Sequence, residues 1–573
     1  MTRDQIGEVL ERIALLLEVK GENPFKIRAY RQGADAVLNF AGDIVAKAAA
    51  NEMEGIQGLG AALRGKLHEL ATTGRLQFFE DLKVEFPETI FELFRVPGVG
   101  AKRIAVLHSE LGVGSLADLK KACESGTVAA LAGFGEKMVG KILEALAYLE
   151  TAATSFRAAE VAGSVGEILG FLRTHKKVSR AEVAGSYRRG REIVNDLDFV
   201  VATKHAELVL NDFVKQTFVL NVLAHGPTKA SVRLTTGVQC DIRAVNGSEF
   251  PCALIYFTGS KEHNVALRTR ALKRGWTLNE YRLEGCQESL HEETDVYKAL
   301  GLEFIDPELR EDQGEIELAE MGSLPKLIEL QNLRGTFHCH TRASDGHGSI
   351  ESMAEAAREL GLQYLGIADH SQSSIQANGL TAARLTEQVR EIAAWNALNA
   401  TPKFRLFSGI EVDILRDGSL DFPDEVLAGL DYVVASVHSI FTLPEAEMTR
   451  RVTRAVENRH VTMLGHLTGR LLLKREGYAL NIPAVIEACA STGTIIELNC
   501  HPARLDMDWR WWRLAREKGV KCVINPDAHS EAGLQHLFFG IRSARKGWLT
   551  RNDVVNCLPL GKIEHALQAK RHL

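Results

Sequence analysis

The chain has 573 residues, a length that predicts several domains, and its apolar fraction of 45% and charged fraction of 25% are typical of folded globular proteins. The net charge of −6 excludes nucleic-acid binding through a generally basic surface, so any such binding has to come from local motifs. The nine cysteines include no CxxC pair, which favours reduced thiols in the cytoplasm, and no apolar run approaches the length of a membrane span.

Residues 1–150 are predicted to be helical, with one helical domain over 1–80 and a second over 81–150. Three glycine hairpins precede amphipathic helices: GIQGLG (55–60), VPGVG (96–100) and GFG (133–135). Backbone N–H groups at such a helix N-terminus hold a phosphate without reading the base. A single G-x-G is often only a turn. Three copies near lysines favour DNA binding that is independent of base sequence, and they resemble helix-hairpin-helix motifs.

The residues expected to contact DNA are the hairpin glycines and two of the lysines that follow them. They are Gly58, Gly60, Lys66, Gly98, Gly100, Lys102, Gly133 and Gly135.

Residues 151–245 change to a mixed pattern of helix (160–175) and short strands near 181–184, 197–202, 231–234 and 238–243. Asp196 and Asp198 alternate along a predicted strand and therefore lie on one face, to which Asp241 of a neighbouring strand can add a third carboxylate. Three carboxylates can hold two magnesium ions. D-x-D alone carries little information, because it is often a solvated strand edge.

The turn GSYRRG (185–190) precedes these carboxylates and supplies Ser186 and Arg189 as phosphate ligands. The combination of G-S-x-R-R-G with D-x-D at this distance is typical of nucleotidyltransferases. Residues 246–315 are predicted to be mostly helical, with one hairpin near 276–285. The stretch 316–332, which contains Pro325, is expected to be a linker.

From residue 333 to 573, strands alternate with helices, a pattern that predicts an α/β domain. The expected strands are 334–338, 363–368, 404–410, 431–436, 461–464, 494–498 and 521–525. Successive apolar runs end in histidines and carboxylates, as in FHCH (337–340), IADH (367–370) and NPDAH (525–529). Parallel strands that carry ligands at their C-terminal ends build a catalytic metal centre in a barrel. One such histidine is usually structural, but the whole series predicts a multinuclear metallohydrolase.

The segment YFTGSKEHNVALR (256–268) resembles the nucleotide-binding segment of family X DNA polymerases, of which DNA polymerase beta is the familiar member. NEY (279–281) and NPFKIRAYR (23–31) match the same family. The resemblance implies that 151–245 is a nucleotidyltransferase palm and 246–315 a thumb-type domain. It also implies templated addition of dNTPs, with Asp196, Asp198 and Asp241 holding Mg²⁺ or Mn²⁺.

By the same resemblance, Tyr256 and Phe257 pack against the incoming sugar and discriminate against ribose. Gly259 belongs to the nucleotide-binding segment, Asn264 contacts the base in the minor groove, and Arg268 contacts the template side of the new pair.

Lys66 occupies the place of the family lysine that forms a Schiff base with an abasic sugar, so a lyase role is one interpretation. A simple DNA phosphate contact is the other. Schiff-base chemistry needs a lowered amine pKa. Position 62, where the family pattern has another lysine, is Ala62 here, which weakens the phosphate side of a lyase site.

The ligand-bearing strands resemble the polymerase-and-histidinol-phosphatase (PHP) domain, a distorted (β/α)7 barrel that bacterial family X polymerases carry after the polymerase. The implied ligands are His338, His340, Asp345, His370, Glu411, His438, His466, Asp527 and His529. They suffice for up to three ions if Glu411 or a water bridges two of them. Mixed His and carboxylate ligands suit Mn²⁺, Zn²⁺ or Fe, and the sequence does not decide among these metals.

The expected fold is therefore multidomain α/β, with a helix-hairpin-helix region, a polymerase palm and thumb, and a PHP barrel. The expected function is filling of short gaps in base excision repair, with a 3′–5′ exonuclease and AP-endonuclease or 3′-phosphatase activity at the PHP site. Gapped or nicked DNA, DNA 3′ ends and dNTPs are the expected partners of a cytoplasmic, nucleoid-associated monomer. A small-molecule phosphatase and a non-catalytic DNA-end scaffold are the alternatives.

Overall fold

The structure is a computed structural model that describes residues 1, 3–38, 40, 44–56, 58–94, 96, 98–152 and 155–572. The chain divides into two compact units, Met1–Ala153 and Thr154–Leu573. None of the helices in the described part of the chain combines the length and the apolar character that crossing a bilayer requires.

The first unit is helical, as the sequence predicts. Apolar residues recur at helical spacing along its first helix, where Ile6, Leu10, Ile13 and Leu17 are buried in the core. The helices of this unit are α1 (Arg3–Val19), α2 (Pro24–Leu38), α3 (Ile44–Ala49), α4 (Ala61–Thr73), α5 (Gln77–Glu85), α6 (Ile90–Leu93), α7 (Ala101–Leu111), α8 (Leu116–Glu124) and α9 (Glu136–Ala152).

The second unit begins with a mixed α/β region. Its elements are β1 (Phe156–Arg157), α10 (Ala158–Thr174), β2 (Arg180–Val183), α11 (Gly185–Arg188), β3 (Ile193–Val194), β4 (Asp196–Ala202), α12 (Ala206–Phe213), β5 (Val219–His225), β6 (Lys229–Leu234) and β7 (Gln239–Val245). The five-stranded sheet has the order β2-β4-β7-β6-β5. Strands β4 and β7 are parallel, and the other neighbours in this sheet are antiparallel.

The sequence did not predict β5, and the structure gives the reason. This strand lies at the edge of the sheet, and its residues Leu220, Val222 and Leu223 are 65%, 46% and 44% exposed. Neither its burial nor its sequence, VLNVLAH, alternates in the way that marks a strand with one buried face.

A mostly helical region follows, with α13 (Phe250–Thr258), α14 (Lys261–Lys273), β8 (Thr277–Leu278), β9 (Leu283–Glu284), α15 (Glu293–Ala299) and α16 (Glu315–Glu320). The short hairpin β8–β9 lies where the sequence predicts one. The segment 316–332, expected to be a linker, packs closely. It contains most of α16, and its Ile328 N–H donates to the Leu549 carbonyl at 3.0 Å.

The remainder of the chain alternates strands and helices. Its elements are β10 (Gly335–Cys339), α17 (Ile350–Glu359), β11 (Tyr364–Ile367), α18 (Ala382–Asn399), β12 (Arg405–Ser408), β13 (Glu411–Asp413), α19 (Asp424–Leu427), β14 (Val434–Ser436), α20 (Glu445–Glu457), β15 (Met463–Leu464), α21 (Ile482–Thr492), β16 (Ile495–Asn499), α22 (Trp512–Glu517), β17 (Cys522–Asn525), α23 (Leu537–Lys546) and α24 (Leu560–Gln568).

These strands form two parallel sheets, β10-β11-β12 and β13-β14-β15-β16-β17. The third predicted strand, 404–410, is interrupted after residue 408, so that β12 pairs with β11 and β13 pairs with β14. Two isolated bridges join the sheets, one between His370 and Glu411 and one between Cys339 and Ala528. The strands therefore close into a distorted barrel, and the C-terminal ends of its strands meet around one centre.

Candidate active sites

The three predicted carboxylates of the mixed region meet on one face of its sheet. Asp198 on β4 is in register with Asp241 on the parallel strand β7, and Asp196 lies two residues earlier on the same face. One oxygen of Asp241, Oδ2, lies 3.3 Å from Lys229 Nζ. The other, Oδ1, is buried without a hydrogen-bond partner among the described residues. An orphaned carboxylate oxygen in this place fits a bound cation.

The electrostatics of these carboxylates also favour a cation. Burial and then the neighbouring charges of Asp196 and Asp241 raise the pKa of Asp198 to about 7. Burial and the charge of Asp241 likewise raise the pKa of Asp196. Like charges held close together in a partly buried site repel one another, and divalent cations remove that repulsion.

The turn at the start of α11 lies directly against the carboxylates. Gly185 has a φ of +61°, and a Cβ at this position would overlap Asp198 Oδ2. Glycine therefore permits both the left-handed conformation and the close approach of the turn to the carboxylate. This approach brings Ser186 and Arg189 into the same cavity as Asp198.

That cavity has a volume of about 390 Å³ and gathers residues from the sheet, the α11 turn and α13–α14. The predicted site residues that line it are Ser186, Arg189, Asp196, Asp198, Tyr256, Phe257, Gly259, Asn264 and Arg268. Asp241 is beside it through its pairing with Asp198. Lys261 also lines the cavity and was not predicted, although its position in the quoted motif was the available signal.

Internal contacts fix the side chains on the helical wall of the cavity. Arg189 Nη1 donates to the Thr258 carbonyl at 2.5 Å, and it would lie 3.1 Å from a Cβ at Gly259, which has a φ of +69°. Asn264 Nδ2 donates to the Tyr256 carbonyl at 2.7 Å. Tyr256 itself is 37% exposed and stands edge-on to Phe257. The cavity thus has a cationic end, an acidic end and an aromatic wall.

The barrel brings its nine predicted ligands together at the C-terminal ends of its strands. Three groups have donor atoms close enough to share one ion each: His340 with Asp345, His370 and His529; His338 with His340 and Asp527; and His370 with Glu411 and His438. The ninth residue, His466, places Nε2 2.9 Å from Glu411 Oε1.

Glu411 lies at the centre of the cluster. Its Oε1 is 3.2 Å from Nε2 of both His338 and His438, and its Oε2 is 2.9 Å from Nδ1 of His370. Both ring nitrogens of His340 are buried without a hydrogen-bond partner among the described residues. Buried ring nitrogens without a hydrogen-bond partner are available to bind a metal ion.

The charges in this cluster support the same conclusion. Burial alone would lower the pKa of His370, but the charge of Glu411 and the hydrogen bond to Asp345 outweigh burial and raise it to about 11. Burial would raise the pKa of Glu411, yet His338, His438 and His370 hold it well below its ordinary range. The carboxylates thus stabilise positive charge beside them. Bound metal ions would supply that charge and leave the imidazoles neutral, which is the form that binds metal.

Residues outside the predicted set orient the ligands. Glu497 on β16 is fully buried and accepts hydrogen bonds from His338 Nδ1 at 2.5 Å and from the His466 N–H at 3.0 Å. Asp413 accepts a hydrogen bond from His438 Nδ1 and orients that ring in the same way. Glu497 was not among the residues predicted from the sequence. The available signal was an acidic residue inside the apolar strand IIELN.

Replacing Glu497 with glutamine is expected to weaken metal binding about 10- to 100-fold, because partners that orient a ligand histidine contribute on this scale. Glutamine keeps the size of the side chain but removes the anionic acceptor that fixes the His338 ring. Isothermal titration of the metal-free protein with Mn²⁺ or Zn²⁺ measures the change. Glu487→Gln, at an exposed position on α21, is the matched control. Equal affinities for the two variants would contradict a role for Glu497.

Two arginines near the barrel centre differ in what they can contact. Arg470, in the segment GHLTGR (465–470), is paired within the protein. It is almost buried, where it lies 2.5 Å from Asp508 Oδ2 and donates to the Arg504 carbonyl at 3.0 Å. Arg504 lies 3.6 Å from the Asp527 carboxylate and is the cation nearer the metal ligands.

The three hairpins of the first unit share one backbone geometry. Gly58, Gly98 and Gly133 have φ values of +87°, +81° and +86°. Gly60 and Gly100 are the N-caps of α4 and α7, and Gly135 immediately precedes α9. Gln57 and Pro97 of the motifs lie outside the described residues. Each hairpin thus exposes the N-terminus of a helix, and Lys102 stands exposed in the first turn of α7.

Lys66 on α4 lies in an aromatic environment. Its Nζ is 3.6 Å from the centre of the Phe78 ring and 5.6 Å from that of Tyr30. Burial and the nearby charge of Lys26 lower the pKa of Lys66. A lowered pKa increases the fraction of neutral amine, which is the nucleophilic form.

Four family models match the chain in succession. They are described as a helix-hairpin-helix domain (1–76), a SAM-like helix-hairpin-helix tandem (90–147), a DNA polymerase beta thumb (253–311) and a PHP domain (336–501). With the acidic cavity and the barrel cluster, these matches define the class as a polymerase beta-like enzyme joined to a PHP domain. The predicted fold class is confirmed.

Similar proteins identify the family to which the chain belongs. The DNA polymerase/3′-5′ exonuclease PolX of Bacillus subtilis (strain 168) is 39% identical over 574 residues, covering 99% of this chain and 100% of that protein. Probable phosphatases of Thermoanaerobacter sp. (strain X514) and Acetivibrio thermocellus are 26% and 30% identical, cover 41% and 34% of this chain, and match over 94% and 78% of their own lengths. The chain belongs to the family X DNA polymerases that carry a PHP domain.

Proposed function

We propose that this chain is a DNA-directed DNA polymerase that fills short gaps during repair and carries a 3′–5′ exonuclease in its barrel. One observation supports the polymerase activity. Asp196 and Asp198, the α11 turn with Ser186 and Arg189 (the phosphate turn), and the α13–α14 wall all line the same cavity. A relative that matches over its whole length is named for both activities.

In the polymerase site, Asp196, Asp198 and Asp241 would hold two Mg²⁺ or Mn²⁺ ions. When bound, these ions would activate the primer hydroxyl and neutralise the triphosphate. Ser186 and Arg189 donate hydrogen bonds to the phosphates. Tyr256 and Phe257 pack against the deoxyribose. Asn264 and Arg268 contact the new base pair from the α14 side.

In the barrel, the nine ligands would hold up to three Mn²⁺, Zn²⁺ or Fe ions. Bound ions would supply Lewis-acid activation of water and of the phosphodiester. Glu497 and Asp413 orient His338 and His438, and Arg504 attracts the phosphate of the substrate. The same centre would cleave at abasic sites or remove 3′ phosphates.

The hairpins of the first unit would hold gapped or nicked DNA through its backbone, since their exposed N–H groups carry no base-specific acceptor or donor pattern. We assign 1–80 and 81–150 to this DNA contact, 151–245 to the palm, 246–315 to the thumb and 333–573 to the barrel. The protein would act as a monomer in base excision repair, at the nucleoid in the cytoplasm.

One assay tests both activities. A labelled duplex with a short gap and a mismatched 3′ overhang is incubated with Mg²⁺ or Mn²⁺, with and without dNTPs. We expect removal of 3′ nucleotides as dNMPs without dNTPs, and trimming followed by gap filling with them. Hydrolysis of histidinol phosphate without action on DNA ends would instead support a small-molecule phosphatase.

A second activity is favoured by the surroundings of Lys66. The pKa of its amine is lowered by burial and by Lys26, and the side chain is half-buried on a helix that begins at a glycine hairpin. These features suit Schiff-base formation with the sugar of an abasic site. We propose that Lys66 gives the first unit lyase activity.

Borohydride trapping on a 5′-incised abasic duplex tests this role. Lys66→Arg and Lys66→Ala are both expected to lower the trapped product to background, because neither side chain supplies a primary amine. Lys66→Arg keeps the positive charge, so it should bind the duplex with an affinity within about twofold of the wild type. Trapping that persists in both variants would contradict the assignment and leave Lys66 as a phosphate contact.

A further inference from the structure

Cationic side chains of the barrel contact one short segment of the palm, residues 187–192. Arg542 on α23 donates to the Tyr187 carbonyl, and its guanidinium lies 4.4 Å from the centre of the Tyr187 ring. Arg470 and Arg510 lie 3.9 Å and 3.7 Å from Glu192 Oε1. This segment contains Arg189 and directly follows Ser186. The barrel therefore contacts the part of the palm that faces the nucleotide phosphates.

Lys546, the last residue of α23, makes the most direct of these contacts. Its side chain is fully buried, and Nζ donates to Glu311 Oε1 at 2.6 Å and to the Arg189 carbonyl at 2.9 Å. Glu311 Oε1 also accepts a hydrogen bond from Arg189 Nε at 3.0 Å. The ammonium of Lys546 thus binds both the backbone of Arg189 and the carboxylate that holds the Arg189 side chain.

These contacts set the direction of the Arg189 guanidinium. Nε is held by Glu311 and Nη1 by the Thr258 carbonyl. Nη2 has no acceptor among the described residues, and Arg189 lines the cavity with Asp198. Two anchored donors leave the remaining edge of the planar guanidinium free for a phosphate. Without Lys546, Glu311 would have one cation fewer and would draw Arg189 away from the cavity.

We propose that Lys546 is a positioning residue for nucleotide addition, and that the barrel is thereby a structural part of the polymerase site in addition to carrying its own metal centre. This inference rests on the proposed polymerase function. A buried lysine is costly to desolvate unless it is paired. Besides a longer contact with the Glu308 carbonyl at 3.4 Å, the partners of Lys546 are Arg189 of the nucleotide cavity and Glu311, which holds the Arg189 side chain.

The test is steady-state gap filling by the full-length protein with Lys546→Met. We expect the KM for dNTP to rise about tenfold, equivalent to about 1.4 kcal/mol of binding, with kcat within about twofold of wild type. Loss of a ground-state phosphate contact predicts this division between KM and kcat. Lys546→Arg should restore most of the affinity. Lys562→Met, at an exposed position on α24, is the matched control.

A double-mutant cycle with Arg189→Ala separates positioning from a general structural effect. If Lys546 acts through Arg189, Lys546→Met should raise KM by less than about twofold in the Arg189→Ala background. Additive effects, or an unchanged KM in the single variant, would overturn the inference. Removal of 3′ nucleotides at the wild-type rate shows that the barrel of Lys546→Met is folded.

If Lys546→Met does not fold, Arg542→Ala is the decisive variant, because Arg542 is half-buried and supports the same segment through the Tyr187 carbonyl. A raised KM for dNTP in this variant supports the barrel as a structural part of the polymerase site, and an unchanged KM overturns that part of the inference. Failure of the wild-type protein to extend any primer would refute the proposed polymerase function instead, so the two failures are distinguishable.

Discussion

Asp198→Asn is expected to lower primer extension by about a thousandfold or more, with removal of 3′ nucleotides unchanged. Asparagine keeps the shape of the side chain but removes the charge opposite Asp241 that divalent cations need. Loss of about 4 kcal/mol of transition-state stabilisation corresponds to this factor. Single-turnover extension of a gapped duplex in Mg²⁺ and in Mn²⁺ measures it, and Glu207→Gln, exposed on α12, is the control.

Unfolding does not account for such a loss, because the substitution should stabilise the metal-free palm. Burial and the charges of Asp196 and Asp241 raise the pKa of Asp198 to about 7 in the folded state, above its ordinary value of 3.8. The native aspartate therefore loses folding stability as the pH rises from about 4 through about 7. Asparagine does not titrate. In metal-free buffer, hydrogen exchange of β4 and β7 should be slower in Asp198→Asn than in the wild type, and this difference should grow over this pH range.

Equal loss of extension and trimming in Asp198→Asn would contradict two independent centres. Extension above about a tenth of the wild-type rate would contradict the assignment of Asp198 as a metal ligand.

The placement of these residues could be predicted because it follows from local rules. Alternation along β4 places Asp196 and Asp198 on one face, and parallel strands of a barrel bring their C-terminal ends to one centre. Neither inference depends on how distant segments pack. The resemblance to family X polymerases then implied the roles of these residues. The relative that matches over its full length confirms that the chain belongs to this family.

The features that the sequence missed depend on tertiary contacts. Glu497 orients His338 from inside a strand 159 positions away. Arg470 is held by Asp508 and the Arg504 carbonyl, which lie more than thirty positions further along the chain. Between β12 and β13 the chain passes from one sheet to the other, because β12 pairs with β11 and β13 pairs with β14. Local periodicity contains no information on such partners.

The contacts of α23 show why fusion of two catalytic units has structural consequences. Arg542 and Lys546 bind backbone carbonyls of the palm, and Arg545 lies 2.6 Å from Glu308 Oε1 and 3.0 Å from Asp306 Oδ1. Helix α23 of the barrel thus supports the phosphate turn of the palm, and other parts of the same barrel supply the cluster of predicted metal ligands. Substitutions at the cluster should therefore be chosen to leave α23 undisturbed when the two activities are compared.

Glu411→Gln meets this condition and is expected to lower removal of 3′ nucleotides by about a thousandfold, with primer extension within about twofold of wild type. Glu411 is fully buried at the centre of the cluster, with His466, His438 and His370 within 3.2 Å of its carboxylate oxygens. Glutamine has one neutral oxygen acceptor and cannot bridge two ions as an anion. Metal analysis by mass spectrometry should show fewer ions bound per chain. Glu487→Gln is the control.

The products decide which centre removes nucleotides. Hydrolysis at the barrel releases dNMPs and needs no pyrophosphate, whereas reversal of polymerisation at Asp198 consumes pyrophosphate and releases dNTPs. In Glu411→Gln the dNMP product should disappear while any pyrophosphate-dependent dNTP release remains, and Asp198→Asn should show the opposite. Undiminished dNMP release by Glu411→Gln with a normal metal content would contradict the barrel as the nuclease. Reduced metal content with unchanged dNMP release would contradict the expected loss, because it would show that hydrolysis does not need the ions that Glu411 holds.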